Sequence, residues 1–82
     1  MEQGTVHRDS TEYRDYAIAT TTERMRDGNW AVVARAVHHT HTAEDIFPVP
    51  VPDRRFATED EAREFGIQFA RAWIDENMPQ AA

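Results

Sequence analysis

The apolar positions change their spacing along the chain, and each spacing predicts a different element. Residues 13–25, YRDYAIATTTERM, are rich in Tyr, Ile and Thr and read as a strand. Arg26-Asp27-Gly28-Asn29 follows; Asp-Gly is a strong hairpin signal, because a type I′ turn needs positive φ at both central residues. Residues 30–38, WAVVARAVH, predict the second strand. With Asp27-Gly28 as a two-residue loop, Arg26 faces Asn29 and the register follows. One sheet face then gathers Met25, Thr21, Ala19 and Ala17 with Trp30, Val32, Ala34 and Ala36. The other gathers Thr22, Thr20, Ile18 and Tyr16 with Val33, Arg35, Val37 and His39. A slip of one residue inverts both sets. The alanine-rich face suits the close approach of a helix with large side chains. The other mixes apolar residues with Thr and Arg35, as a half-wet or partner-covered face would.

In IFPVPVP, residues 46–52, prolines alternate with apolar residues at a period of two. Backbone amides two residues apart in a strand point to the same edge. Pro48, Pro50 and Pro52 therefore lack donors along one edge, while Phe47, Val49 and Val51 keep theirs along the other. This predicts an edge strand that pairs on one side only and resists further sheet growth. A polyproline ligand needs prolines three apart, and here residues three apart are always Pro and Val.

Beyond it, Thr58-Glu59-Asp60-Glu61 has the form of a capping box, and its acids suit the positive end of a helix dipole. Ala62, Phe65, Gly66, Phe69, Ala70, Trp73 and Ile74 recur at helical spacing, with Arg63, Glu64, Gln68, Arg71 and Asp75 on the opposite side. Gly66 inside the helix points to close packing on the sheet, and Asn77 and Pro79 end it. The expected fold is α+β: a three-stranded antiparallel β-meander covered on one face by a single C-terminal helix, in the order β-β-β-α. Residues 1–12 are expected as a flexible tail, 13–78 as the one domain, and 79–82 as a C-terminal tail.

Composition narrows the function. The chain has no cysteine and no lysine, and its nine arginines face fifteen acids, for a net charge of −6. The imbalance sharpens toward the end, with net −2 over residues 1–56 and −4 over 57–82. An acidic domain is badly placed to neutralise phosphates, so direct nucleic-acid binding is not expected. No apolar run approaches the roughly 20 residues of a membrane span, and the N-terminus has no signal-peptide pattern; cytoplasmic residence is the expectation.

Candidate chemistry is sparse. In His38-His39-Thr40-His41, a strand would put His39 and His41 on one face, which makes them the candidate metal ligands, with Glu44 and Asp45 nearby; zinc needs further ligands and supporting partners. The competing reading is a polar strand end with His39 beside Tyr16. The acids at the two ends of the helix are explained by capping and solvation, and Ser10, the only serine, has no elbow motif around it. Arg54-Arg55 near a helix N-terminus could hold an anion, or pair with Asp53 or Glu59. Trp30 and Trp73 read as core residues. No catalytic constellation or cofactor motif emerges, so the chain reads as a non-enzyme.

Tyr13-x-x-Tyr16-x-Ile18, Asp27-Gly28-x-Trp30, Phe56-x-Thr58-x-x-x-Ala62-x-x-x-Gly66 and Trp73-Ile74-Asp75 together resemble a group of small uncharacterised bacterial βββα proteins with a DGxW hairpin and an FxTxxxAxxxG…WID helix. That resemblance spans residues 13–76 and implies the fold above, with no catalytic residues to carry over. Asp27-Gly28 followed by Thr58-x-x-Glu61-Ala62 also resembles HicB-type antitoxins, although no later strand or DNA-binding segment follows. The function expected is a non-enzymatic interaction module. It would be homodimeric through the outer sheet face, with Tyr16, Ile18, Val33, Arg35 and Val37 as interface residues. The alternative is an antitoxin-like protein masking a basic partner.

Overall fold

The computed structural model describes residues 5–39 and 42–78. It is α+β, with strands β1 (Val6–Tyr13), β2 (Tyr16–Arg24), β3 (Trp30–His39) and β4 (Glu44–Val49) followed by one helix, α1 (Glu59–Asn77). The strands form one antiparallel sheet in the order β1-β2-β3-β4. The sheet is thus a meander under a C-terminal helix, as the sequence predicts, but it has four strands rather than three. The additional one, β1, occupies residues expected as a tail. Its sequence VHRDSTEY is polar on both faces, so no apolar alternation announces it.

The β2–β3 hairpin is offset by one residue from the expected register. Met25 N–H donates to Asn29 O at 2.7 Å and Gly28 N–H to Met25 O at 2.9 Å, so the loop holds three residues, 26–28. Only Gly28 takes positive φ there, at 89°, as a type I turn closed by a left-handed glycine requires. Thr22 consequently faces Val32, Thr20 faces Ala34 and Ile18 faces Ala36. The even-numbered residues of both strands turn toward the helix, and Ile18 is fully buried. Burying an isoleucine in place of Ala17 or Ala19 is worth about 1.5–3 kcal/mol, which favours this register. Two proposed interface residues are thereby reassigned: Tyr16 and Ile18 lie under α1, whereas Val33, Arg35 and Val37 stay on the outer face.

Phe47 and Val49 pair across β3 with Ala36 and Ala34, and among the described residues no strand lies beyond β4. The edge-strand expectation holds as far as Val49. Past it, Val51 N–H turns back to Val49 O at 2.8 Å, so Val51 does not extend the ladder. Pairing resumes only at Phe56, which exchanges both backbone bonds with Trp30, at 2.8 and 2.9 Å.

Helix α1 begins where the capping signal places it. Thr58 Oγ1 accepts from Glu61 N–H at 3.2 Å; the return bond from the Glu61 carboxylate is not made among the described residues. The row facing the sheet is Ala62, Gly66, Ala70 and Ile74, all buried. Large side chains flank this ridge instead of forming it. Phe65, Phe69 and Trp73 run along the flank toward β4, with the Phe56 and Phe65 rings and the Phe65 and Phe69 rings packed at a tilt, centroids 5.2 and 6.1 Å apart. The core joins Ile18, Ala34, Ala36, Val49, Ala70 and Ile74, with Phe69 and Trp73 packed against it.

Candidate functional site

Two surfaces stand out, a polar seam along the inner side of β1 and the uncovered outer face of the sheet. The seam exists because α1 lies over β2 and β3 and leaves the inner face of β1 beside its flank. Odd-numbered residues of β1 meet the helix row Arg63, Ile67 and Arg71 there. At one end His7 Nδ1 lies 2.9 Å from Glu59 Oε2, and the same oxygen accepts from Thr22 Oγ1 at 3.0 Å and from Arg63 Nη1 at 3.1 Å. The His7 ring stacks on Trp30 with centroids 5.7 Å apart. Arg63 also reaches Asp60 at 2.6 Å and Asp9 at 3.6 Å. At the other end Tyr13 Oη donates to Asp75 at 2.8 Å, Arg14 Nε donates to the same carboxylate at 2.9 Å, and Arg71 lies over the Tyr13 ring. Between the two ends is a cleft of about 170 Å³ lined by Asp9, Ser10, Thr11, Ile18, Thr20, Arg63 and Ile67.

The ionic groups of the seam are turned on one another. Burial works to raise the Glu59 pKa, but the hydrogen bonds from His7 and Thr22, with the charges of His7 and Arg63, outweigh it and hold the carboxyl below its ordinary range. The hydrogen bond to Asp60 raises the Arg63 pKa against the effect of burial. The seam therefore acts as a clamp that fixes a polar strand beside the helix. A carboxyl with a depressed pKa stabilises the fold fully above its unfolded-chain pKa, and that stabilisation is lost as pH falls through the lower folded value. Melting temperature should therefore fall more steeply in acid for the wild type than for Glu59→Gln. Parallel acid limbs in the two proteins would refute this role for Glu59.

The outer face carries Val6, Arg8, Ser10 and Glu12 of β1, Ala17, Ala19 and Thr21 of β2, Ala31, Val33, Arg35 and Val37 of β3, and Ile46 and Pro48 of β4, placed there by the strand registers. Val33 is 62 % exposed and Ile46 53 %. Both are large apolar residues, and α1 lies on the opposite side of the sheet. Ile46 joins the patch because the β3–β4 register sets it against Val37.

The remaining sequence candidates disperse. His39 ends β3 with Nδ1 3.2 Å from Glu44 Oε2, whereas His41 lies outside the described residues. No group of three potential metal-binding side chains occurs among the described residues. Arg55 pairs with Asp53 and Arg54 lies over the Phe65 ring at 5.2 Å, so neither faces the helix N-terminus as a free anion site. His7, Asp9, Glu59 and Arg63 were not legible as a group. Their only sequence signal is the period-two spacing of His7 and Asp9 together with the four-residue spacing of Glu59 and Arg63.

A four-stranded antiparallel meander with one helix across it, clamped along β1 by a polar seam, defines a small α+β domain. The chain belongs to a family described as a domain of unknown function (DUF6566), whose model matches residues 6–82. No curated protein and no solved structure matches it. No helix among the described residues is long and apolar enough to cross a membrane.

Proposed function

We propose that the protein is a non-enzymatic interaction module that associates with itself through the outer face of its sheet. The observation carrying this reading is the exposure of Val33 and Ile46 on a face that α1 leaves uncovered. Sizeable apolar patches on small soluble proteins mark contact sites, and a small core gains from sharing one. Small residues, Ala17, Ala19 and Thr21, lie beside the larger Val37, Arg35 and Val33, giving a shallow relief that a second sheet can enter. Arg35 is exposed between Ala19 and Pro48 in register, and an arginine stem can cover apolar surface while its head stays in water. A basic partner masked by the acidic helix is the second reading, favoured by the exposed carboxylates Asp60, Glu61, Glu64 and Glu76. Sedimentation of wild type against Val33→Asp at micromolar concentration separates the two. Self-association through this face predicts that the substitution halves the particle mass. Equal masses would sink it and leave the masked-partner reading.

A further inference from the structure

We propose a second self-association site: β1 pairs edge to edge with β1 of another copy, joining two sheets into one. Among the described residues both outer edges of the sheet, β1 and β4, are unpaired, and they are built differently. β4 carries Pro48 and is followed by Pro50 and Pro52, so its outer side is poor in donors. A sheet refuses another strand by prolines, by bulges or by charges on its edge; the charges of β1, Arg8, Asp9 and Glu12, can repel a strand or pair with it according to register, whereas prolines and bulges refuse one in any register. β1 has neither. It contains no proline, and its register against β2 runs unbroken from Val6 opposite Glu23 to Tyr13 opposite Tyr16. Arg24 N–H donates to Thr5 O at 2.9 Å, so odd-numbered residues of this segment direct their backbone groups at β2. Backbone direction alternates in an antiparallel ladder. Val6, Arg8, Ser10 and Glu12 therefore present N–H and C=O groups to the open edge.

The order of side chains identifies the occupant. Arg8 and Glu12 stand symmetrically about Ser10. A two-fold axis through Ser10 sets Arg8 of each copy directly opposite Glu12 of the other, on the same sheet face. The pairs Ser10–Ser10 and Arg8–Glu12 are then all of the type that exchanges both backbone bonds. Opposite charges directly across a strand pair stabilise it, and like charges destabilise it. Shifting the register so that Ser10 meets Glu12 would instead bring Arg8 against Arg14. Arg8 and Glu12 are both exposed, and among the described residues neither has a partner within its own chain. The edge contact is separate from the face contact proposed above. The two close into a four-copy particle when the axis relating the faces crosses the strands at Ser10, perpendicular to the axis relating the edges.

Charge reversal in the Val33→Asp background tests the edge alone, with far-UV circular dichroism confirming that each variant is folded. Val33→Asp should sediment as a dimer, and adding Arg8→Glu or Glu12→Arg should each halve its mass. Mixing those two reversed proteins should restore the dimer, because every Arg–Glu pair is then re-formed across the edge. A Val33→Asp protein that is monomeric at high concentration overturns the proposal, as does a dimer indifferent to either reversal or a mixture that stays monomeric. Failure of the face contact reads out separately, as equal masses for wild type and Val33→Asp.

Discussion

Ile18→Ala is expected to cost about 2–5 kcal/mol, the usual range for truncating a large side chain at a fully buried position. A domain of this size has roughly 4–12 kcal/mol in total, so the variant should be largely unfolded or melt far below the wild type. Ile18 is fully buried in the core cluster that contains Ala36 and Ile74. The same substitution at Val33, on the adjacent strand β3, should change stability little, because that side chain is mostly in water. The contrast tests the hairpin register directly. With a two-residue loop, Ile18 and Val33 would share a face and respond alike. Urea denaturation of both variants decides, and comparable losses in the two would overturn the three-residue loop.

Gly66→Val is expected to destabilise the fold clearly, and its cause is contact, not backbone freedom. A Cβ built at Gly66 would stand 2.8 Å from Val32 Cγ2, closer than side-chain carbons pack. Overpacking of this kind costs about 1–3 kcal/mol, and branching at Cβ adds to the crowding. Gly66→Ala adds the Cβ alone and regains about 1 kcal/mol of helix propensity, so its net loss should be smaller. The diagnostic is the pair. Val32→Ala removes the offending methyl groups, so Val32→Ala with Gly66→Ala should be more stable than the sum of the single effects, by about 0.5–3 kcal/mol of coupling. Additive losses in thermal or urea melts would mean that the helix can shift away from β3 freely.

What was legible in the sequence was what local chemistry dictates. The Thr58 cap is formed by residues adjacent in the chain, and the donor-free edge of the proline segment follows from residue type and parity. The helix ridge was half legible: spacing found its apolar face, but not that Ala62, Gly66 and Ala70 form the line of approach while the aromatics flank it. The hairpin register was not legible, because Asp27-Gly28 suits both a two-residue loop and a three-residue loop. The choice falls to a distant contact, the burial of Ile18 against the helix. β1 was missed for a related reason. Its inner side faces a helix flank that carries Arg63 and Arg71, so His7, Asp9 and Tyr13 answer with polar groups. A strand held by ladder bonds and ion pairs leaves no hydrophobic alternation to read. Of the expected interface set, Val33, Arg35 and Val37 lie on the face of β3 away from α1, whereas the one-residue offset turns Tyr16 and Ile18 toward the helix.

The strand order β1-β2-β3-β4 also bears on how the chain reaches this structure. Every strand pairs with its neighbour in sequence, so assembling the sheet closes only short loops, and loop-closure entropy rises slowly with length in any case. The contacts that span longer stretches of chain belong to α1: Glu59 to His7 and Thr22, and Asp75 to Tyr13 and Arg14. The hairpin pairings carry the smaller closure cost. The sheet can therefore form before the helix docks, and in that interval Ile18 and Val32 are bare on a sheet already closed at its proline edge. The prolines beside β4 thus serve the unfinished molecule as well as the finished one, by withholding donors at a moment when the inner face is unguarded.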